Sequence, residues 1–417
     1  MFRSSAAFAA ALCCAVVARE ARPASETAPE SVRGALQAAW QQHPNYRAVQ
    51  AQLAAAQARL EAAGKPLYNP EVELTRSGEG VDRTSSAGLA LALDIGGKRR
   101  ARENAAAALL TLSEAEARRS RRDFARRWFD AWIDWSAAER RVTTGEQRVA
   151  LMTRFADLAV KQFEADDISG LDRDVAALAR DEAGAAQSVL VAERAEAEAR
   201  LRALGSEPQR VADLPLPDDA PAPLPLGEES LQQLSEWQIA DSARIAAERE
   251  IAVAERNRVP DPTLSLSGGR IRYGENGVKD DVFGVSISIP LFVRNNHRAE
   301  VAAARADADA SAAEAERVRL ELGAERRKAV DSYAATLVAW QSWKSSRGTE
   351  VARRAQLLER SWREGELSTS DYLLQVKQTL DTALAGAELE ARLWRNYADY
   401  LVAGNRFERW VGLESIR

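Results

Sequence analysis

Twice in this chain an alternating run of apolar and small residues passes, within a few residues, into a long helical pattern. "GLALALDIGGKRRARENAAAALL" occupies residues 88–110, and "GVSISIPLFVRNNHRAEVAAARA" occupies residues 284–306. Leu89, Leu91 and Leu93 alternate with Ala90 and Ala92; Val285, Ile287 and Ile289 alternate with Ser286 and Ser288. A period of two is a strand with one apolar face. Beyond each strand runs a charged, Ala-rich helix pattern with no proline to stop it.

The two junctions belong to a duplication, which has to be recognised before any fold is assigned. "NPEVELTRSG" from Asn69 resembles "DPTLSLSGGR" from Asp261, an offset of 192 residues. The junctions themselves match at an offset of about 196, and "FEADDISGLDRDVAAL" from Phe163 matches "WREGELSTSDYLLQV" from Trp362 at 199. Three matches in one order divide the chain into a first repeat (21–204), a Pro- and Asp-rich linker (205–229) and a second repeat (230–417). Each repeat reads helix, strand, strand, very long helix, break, helix.

The opening helices are expected at Val32–Ala63 and Ser230–Arg258, stopped by Gly64-Lys65-Pro66 and Val259-Pro260. Strands are expected at Glu71–Arg76, Gly88–Asp94, Thr263–Arg272 and Val282–Leu291, with the loops "SGEGVDRTSSA" and "YGENGVKDD" between them. The long helices begin near Lys98 and Arg298. Apolar residues then recur in steps of three and four, as at Phe124, Trp128, Trp132, Trp135 and at Val330, Tyr333, Leu337, Trp340. That is a narrow coiled-coil stripe. Lys98 to Phe163 is 66 residues, or roughly 100 Å of helix. Two shorter helices with a bend at Thr143-Thr144-Gly145 are the alternative.

The sequence offers no catalytic or metal-binding pattern. Of 417 residues only two are histidine, His43 and His297, and neither has a neighbouring ligand at binding spacing. Both cysteines, Cys13 and Cys14, lie in "AAFAAALCCAVVA", the apolar middle of a secretory signal over residues 1–20. Removing that signal leaves no thiol and no disulfide. "ALCC" lacks the residue order of a lipid-attachment site. Gly96-Gly97-Lys98 lacks the first glycine of a phosphate loop. A net charge of −5 gives no reason to expect nucleic acid. The remaining acidic clusters, Glu164, Asp166, Asp167 and Glu364, Glu366, read either as solvated charge at helix turns or as a negative pore mouth.

No segment carries 18 consecutive apolar residues, so a membrane would have to be crossed by strands. The better strand pair reaches the roughly 9–11 residues a tilted strand needs. Four strands cannot close a barrel alone, and bare edges are not tolerated in lipid. Several chains would have to share one barrel, with the long helices continuing its wall into water. The change of direction would fall at Gly96-Gly97 and between Pro290 and Asn295-Asn296.

With those residues in view, the duplicated plan resembles the TolC family of outer-membrane efflux channels. The two junction sequences are similar to its heavy-metal, cobalt–zinc–cadmium branch. The resemblance implies a mainly α fold with a small β-barrel portion: a homotrimer with a twelve-stranded barrel in outer-membrane lipid and an α-helical tunnel below it. It implies a passive conduit, not an enzyme, without cofactors. It would work with a periplasmic adaptor and an inner-membrane resistance–nodulation–division pump. It places the two helix breaks at a periplasmic tip where the pore narrows, with Gly365 in the tip turn and Asp166 at the matching position. Asp371 falls on a pore-narrowing aspartate, Asp172 is its repeat-related partner, and Glu366 and Asp167 flank the turns. Leu374 stands where a second such aspartate would be. A drug or protein export channel of the same fold, or a soluble periplasmic scaffold, are the competing expectations.

Overall fold

The computed structural model describes residues 27–216, 220–227, 231–274, 277–345 and 351–413. The signal read at residues 1–20 lies outside them.

The chain opens with α1 (Glu30–Gln42) and α2 (Pro44–Gly64), where the sequence suggested one continuous helix. The break is chemical. Pro44 has no N–H and its ring would strike the preceding turn. His43 therefore leaves the helix, and its Nδ1 caps α2 by accepting from the Asn45 N–H at 3.1 Å. Next come a hairpin, β1 (Glu71–Glu79) and β2 (Asp82–Ala92), then α3 (Lys98–Glu164) and α4 (Gly170–Ala203). After the short α5 (Pro208–Val211) the plan repeats: α6 (Ser235–Asn257), β3 (Thr263–Tyr273), β4 (Val278–Ser288), α7 (Arg298–Ser345), α8 (Val351–Arg363), α9 (Thr369–Ala403) and α10 (Phe407–Trp410).

The strands are longer than the sequence suggested. Residues 77–79 and 82–87, expected in a loop, are paired strand, because Gly80 at φ +62° closes the hairpin in a two-residue turn. At its other end β4 stops at Ser288, short of the expected Leu291, since Pro290 cannot donate to a ladder. Leu93 and Ile289 thus lie just beyond their strands, Leu93 keeping one bond to the Pro262 carbonyl at 2.9 Å.

α3 is one helix of 67 residues, so the bend at Thr143-Thr144-Gly145 does not occur. Both threonine hydroxyls bond back to carbonyls one turn earlier, at 3.1 and 2.9 Å, inside the helix. α4, α6 and α2 pack along α3, while α6 and α9 pack along α7. The seams are narrow. On α7 the buried residues Val301, Ala308, Ala315 and Leu322 recur every seven, the heptad signature, with alanine letting helices approach closely.

Two cores hold the helices. The larger sits midway along them, around Trp40, Phe124, Trp128, Phe129, Trp132, Tyr333, Trp394 and Trp410. The smaller, near the α3–α4 turn, gathers Met152, Phe155, Trp362, Tyr372 and Val376 from both repeats. Beyond the short α5, the described part of the linker, 214–216 and 220–227, is extended and pinned across the larger core. Leu224 N–H donates to the Tyr400 hydroxyl at 2.8 Å, and the Tyr333 hydroxyl bonds the Pro221 carbonyl. Leu214, Leu216 and Leu226 pack beneath it.

Candidate functional site

The sheet is a single antiparallel layer in the order β1-β2-β3-β4. Residues directly opposite share a face, so the register sorts the side chains. One face carries Val72, Leu74, Leu89, Leu91, Leu266, Phe283, Val285 and Ile287. All of these are exposed, Phe283 by 87% and Val285 by 72%. The other face carries Ala90, Ser265 and Ser286, with Gly88, Ser267 and Gly284 in the next row. A water-soluble one-layer sheet would bury its apolar face against helices. Here that face is left exposed, and the small residues share the opposite face.

The small-residue face is crowded. A Cβ added at Gly269 would lie 2.6 Å from the Ser85 carbonyl oxygen, and one at Gly284 2.8 Å from Ser267 Oγ. Both distances are below van der Waals contact. On the apolar face the Phe283 ring covers Gly268, with carbons 3.5 and 3.6 Å from where its Cβ would be.

At the first junction Gly97 takes φ +71° and starts α3. Asp94 completes the turn: its carboxylate accepts from the N–H groups of Lys98 and Arg99, both at 2.8 Å. Burial raises the Asp94 pKa, but those N–H groups, that of Gly97 and the Lys98 ammonium outweigh it and hold the carboxyl below its ordinary range. Lys98 then reaches across the repeats to Asp261 at 2.8 Å, a pair almost closed to solvent. Tyr68 donates to the same Asp261 oxygen at 2.5 Å, and that bond, with burial, pushes the Tyr68 hydroxyl up to about 12. This lock, which ties the strand leads of both repeats to the start of α3, was not visible in the sequence. Lys98 and Asp261 stand 163 residues apart, and no local spacing links them. At the second junction Asn295 and Asn296 accept from the N–H groups of His297 and Arg298, at 3.0 and 3.2 Å. His297 bonds Glu300 at 3.2 Å. Pro290 leads into this turn and Gly96 packs on Val259 in the first.

The two helix breaks have one geometry. Asp166 at φ +61° and Gly365 at φ +76° occupy the same left-handed position. In each, the next residue donates back to the third-last helical carbonyl: Asp167 to Gln162 at 2.8 Å, Glu366 to Ser361 at 2.9 Å. These are Schellman caps. The helices beyond them also start alike. Ser169 and Ser368 cap α4 and α9, accepting from the N–H groups of Asp172 and Asp371 at 3.2 and 3.1 Å. Each serine hydroxyl donates to its aspartate at 2.6 Å. Each aspartate thus lies in the first turn of its helix, bound to its own cap. Asp166, Asp167 and Glu366 are exposed, and so is Leu374.

The histidines serve local structure: His43 as a cap whose ring rests 4.9 Å from Phe124, His297 in its junction turn. Among the described residues no group of three metal-ligating side chains converges, and no helix is long and apolar enough to cross a membrane.

Residues 226–395 match the outer membrane efflux protein family. Two curated proteins are similar in sequence. The cobalt-zinc-cadmium resistance protein CzcC of Cupriavidus metallidurans is 28% identical over 232 residues, covering 54% of this chain and 55% of that protein. The nickel-cobalt-cadmium resistance protein NccC of Alcaligenes xylosoxydans xylosoxydans is 27% identical over 301 residues, covering 71% and 67%. The match thus spans about half the length of CzcC. Among solved structures, the Campylobacter jejuni CmeC outer membrane channel aligns with a TM-score of 0.75 over 91% of this chain and 86% of its own, at 14% identity. The outer-membrane channel OprN gives 0.74 over 92% and 91%, at 20% identity. CusC, whose structures describe transmembrane channel formation, gives 0.72 over 89% and 91%, at 15%. The fold is that of these channels.

Proposed function

We propose that this chain is one protomer of a homotrimeric outer-membrane channel, the exit duct of a tripartite system that expels divalent heavy-metal cations. The observation that carries the channel is the sheet. It is open at β1 and β4, apolar on one exposed face, and continuous with helices of 67 and 48 residues, about 100 and 70 Å long. Three copies, each closing its neighbour's edges, give twelve strands and leave no bare backbone in lipid. The repeats, 21–204 and 230–417, each supply one hairpin and one long helical arm. Similarity to CzcC and NccC favours cobalt, zinc, cadmium or nickel as cargo. The chain performs no catalysis. A periplasmic adaptor and an inner-membrane resistance–nodulation–division pump supply recruitment and energy, and a signal over residues 1–20 directs export. Without histidine or thiol ligands along the duct, cations pass without being retained.

Three measurements test this reading. The detergent-solubilised protein should have the mass of three protomers; a monomer that stays soluble without detergent overturns the channel. Deletion of the gene should sensitise cells to divalent metals; sensitivity to drugs with unchanged metal tolerance moves the protein to a drug-export role. We assign pore narrowing to Asp371 and Asp172, with Asp166, Asp167 and Glu366 as the acidic mouth. Because each aspartate also serves a cap, the control is Ser368→Ala. That variant loses the same cap, at about 1 kcal/mol, yet keeps the carboxylate. Asp371→Ala should change single-channel conductance and cation preference where Ser368→Ala does not. Equal effects from both would reduce Asp371 to a capping residue.

A further inference from the structure

All four links between sheet and helices leave from one end of the sheet, since the strands are antiparallel and both hairpins close the other. Six arginines gather at the helix end: Arg99 and Arg100 after β2, Arg256 and Arg258 before β3, Arg294 and Arg298 after β4. All six are exposed. Among the described residues none forms an ion pair, whereas about half of the other described arginines do. Arg99 and Arg256 touch only carbonyls, of Gly64 and Gly96, at 3.2 and 3.3 Å. Several nearby carboxylates are committed elsewhere, Asp94 to the α3 N-terminus, Asp261 to Lys98, Glu300 to Asn295 and His297, and Glu255 to Arg305, while Glu103 lies against Gly64 on the Arg99 side. Glu71 shares the small-residue face with Ala90.

The same end carries protruding apolar side chains outside any strand. Leu291 is 76% exposed, Val293 85% and Ile95 65%. They lie just past the ends of β2 and β4. The hairpin end differs. There both signs mix, and Arg270 pairs with Asp281 at 2.9 Å. A band of unpaired guanidinium groups just below a lipid-facing apolar surface is complementary to anionic headgroups, and each such cation adds to membrane attraction.

We propose that this arginine collar binds the headgroups of anionic phospholipids in the leaflet facing the helices, with Leu291, Val293 and Ile95 seated among the acyl chains. The collar fixes the depth and orientation of the sheet in the membrane. This inference rests on the channel reading above.

The test uses full-length protein in neutral detergent, titrated with phosphatidylglycerol or phosphatidylcholine while thermal unfolding is followed. Phosphatidylglycerol should raise the melting temperature, less so at high salt, and phosphatidylcholine should do little. The variant carrying Arg100→Gln, Arg258→Gln, Arg294→Gln and Arg298→Gln should bind phosphatidylglycerol at least about tenfold more weakly. Inorganic phosphate at matched concentration should have no effect; a shift equal to that of the lipid would reveal a simple anion site and overturn the collar. Equal stabilisation by both lipids, independent of salt, overturns it on the wild type alone, even if the variant does not fold. Either result leaves the channel reading standing. Failure to enter detergent or lipid at all would sink that reading instead.

Discussion

Asp166 holds a backbone conformation that costs an L-residue roughly 1–2 kcal/mol and glycine almost nothing. Gly365 fills the same place in the second repeat. The sequence shows the mismatch but not its resolution, since aspartate is one of few residues able to follow glycine into the left-handed region. Asp166→Gly should therefore stabilise the protein by about 0.5–1 kcal/mol, and Gly365→Val should destabilise it by more; thermal unfolding of the two variants checks the sign. Glu236 makes a second prediction. It pairs with Arg122 at 2.8 Å, joining α6 to α3. Burial pushes its carboxyl up, but the Arg122 hydrogen bonds and charge prevail, and the pKa lies below its ordinary 4.5. A lowered folded-state pKa stabilises above the unfolded value and is lost as pH falls through the folded one. Wild type should thus exceed Glu236→Gln by about 1–2 kcal/mol at pH 7. The gap should hold to about pH 5.5 and close below about 4.5. A gap independent of pH would assign the effect to shape instead of charge.

Helix identity and the apolar stripe were readable from spacing, because a 3.6-residue period survives over long stretches. What spacing could not supply is which glycine weakens a helix and which admits a neighbour. Gly145, suggested as a bend, sits inside unbroken α3, where a Cβ would overlap the Gln187 amide of α4. The second repeat solves the same crossing in reverse. Gly386 of α9 stands 199 residues after Gln187, and a Cβ there would overlap the Trp343 ring of α7. Large faces small in both repeats, with the helix that carries the large residue exchanged. A glutamine end can swing aside; a packed indole cannot. Gly386→Ala should then cost about 1–3 kcal/mol, and Gly145→Ala distinctly less. Trp343→Gly with Gly386→Gln rebuilds the first repeat's arrangement in the second. Its denaturant midpoint should lie above the sum of the two single losses by a coupling of about 1 kcal/mol or more. Strict additivity would mean the two sites do not share a volume.

At the scale of the molecule, alternation in "GLALAL" and "GVSISI" was legible, while its meaning was not. A period of two states that a strand has two unlike faces, never which one meets protein. The register places Leu74, Leu89, Leu266 and Val285 together and exposed, with Gly88, Ser267 and Gly284 on the opposite face. The Lys98–Asp261–Tyr68 lock lay beyond sequence reading for the same reason: it exists only once the two repeats face each other. This polarity separates a membrane barrel from a soluble sheet by a pair of adjacent substitutions. Val285→Arg places a cation on the apolar face near the middle of β4. In hydrocarbon that costs about 2–4 kcal/mol, repeated in every protomer. Ser286→Arg, one residue on, points to the opposite face, which the proposed channel turns toward its water-filled duct. Membrane fractionation and detergent mass should show Val285→Arg largely excluded from the outer membrane or unassembled, and Ser286→Arg inserted as a trimer with altered conductance. A soluble sheet predicts the reverse ranking, because an exposed valine tolerates arginine easily while the crowded small face does not.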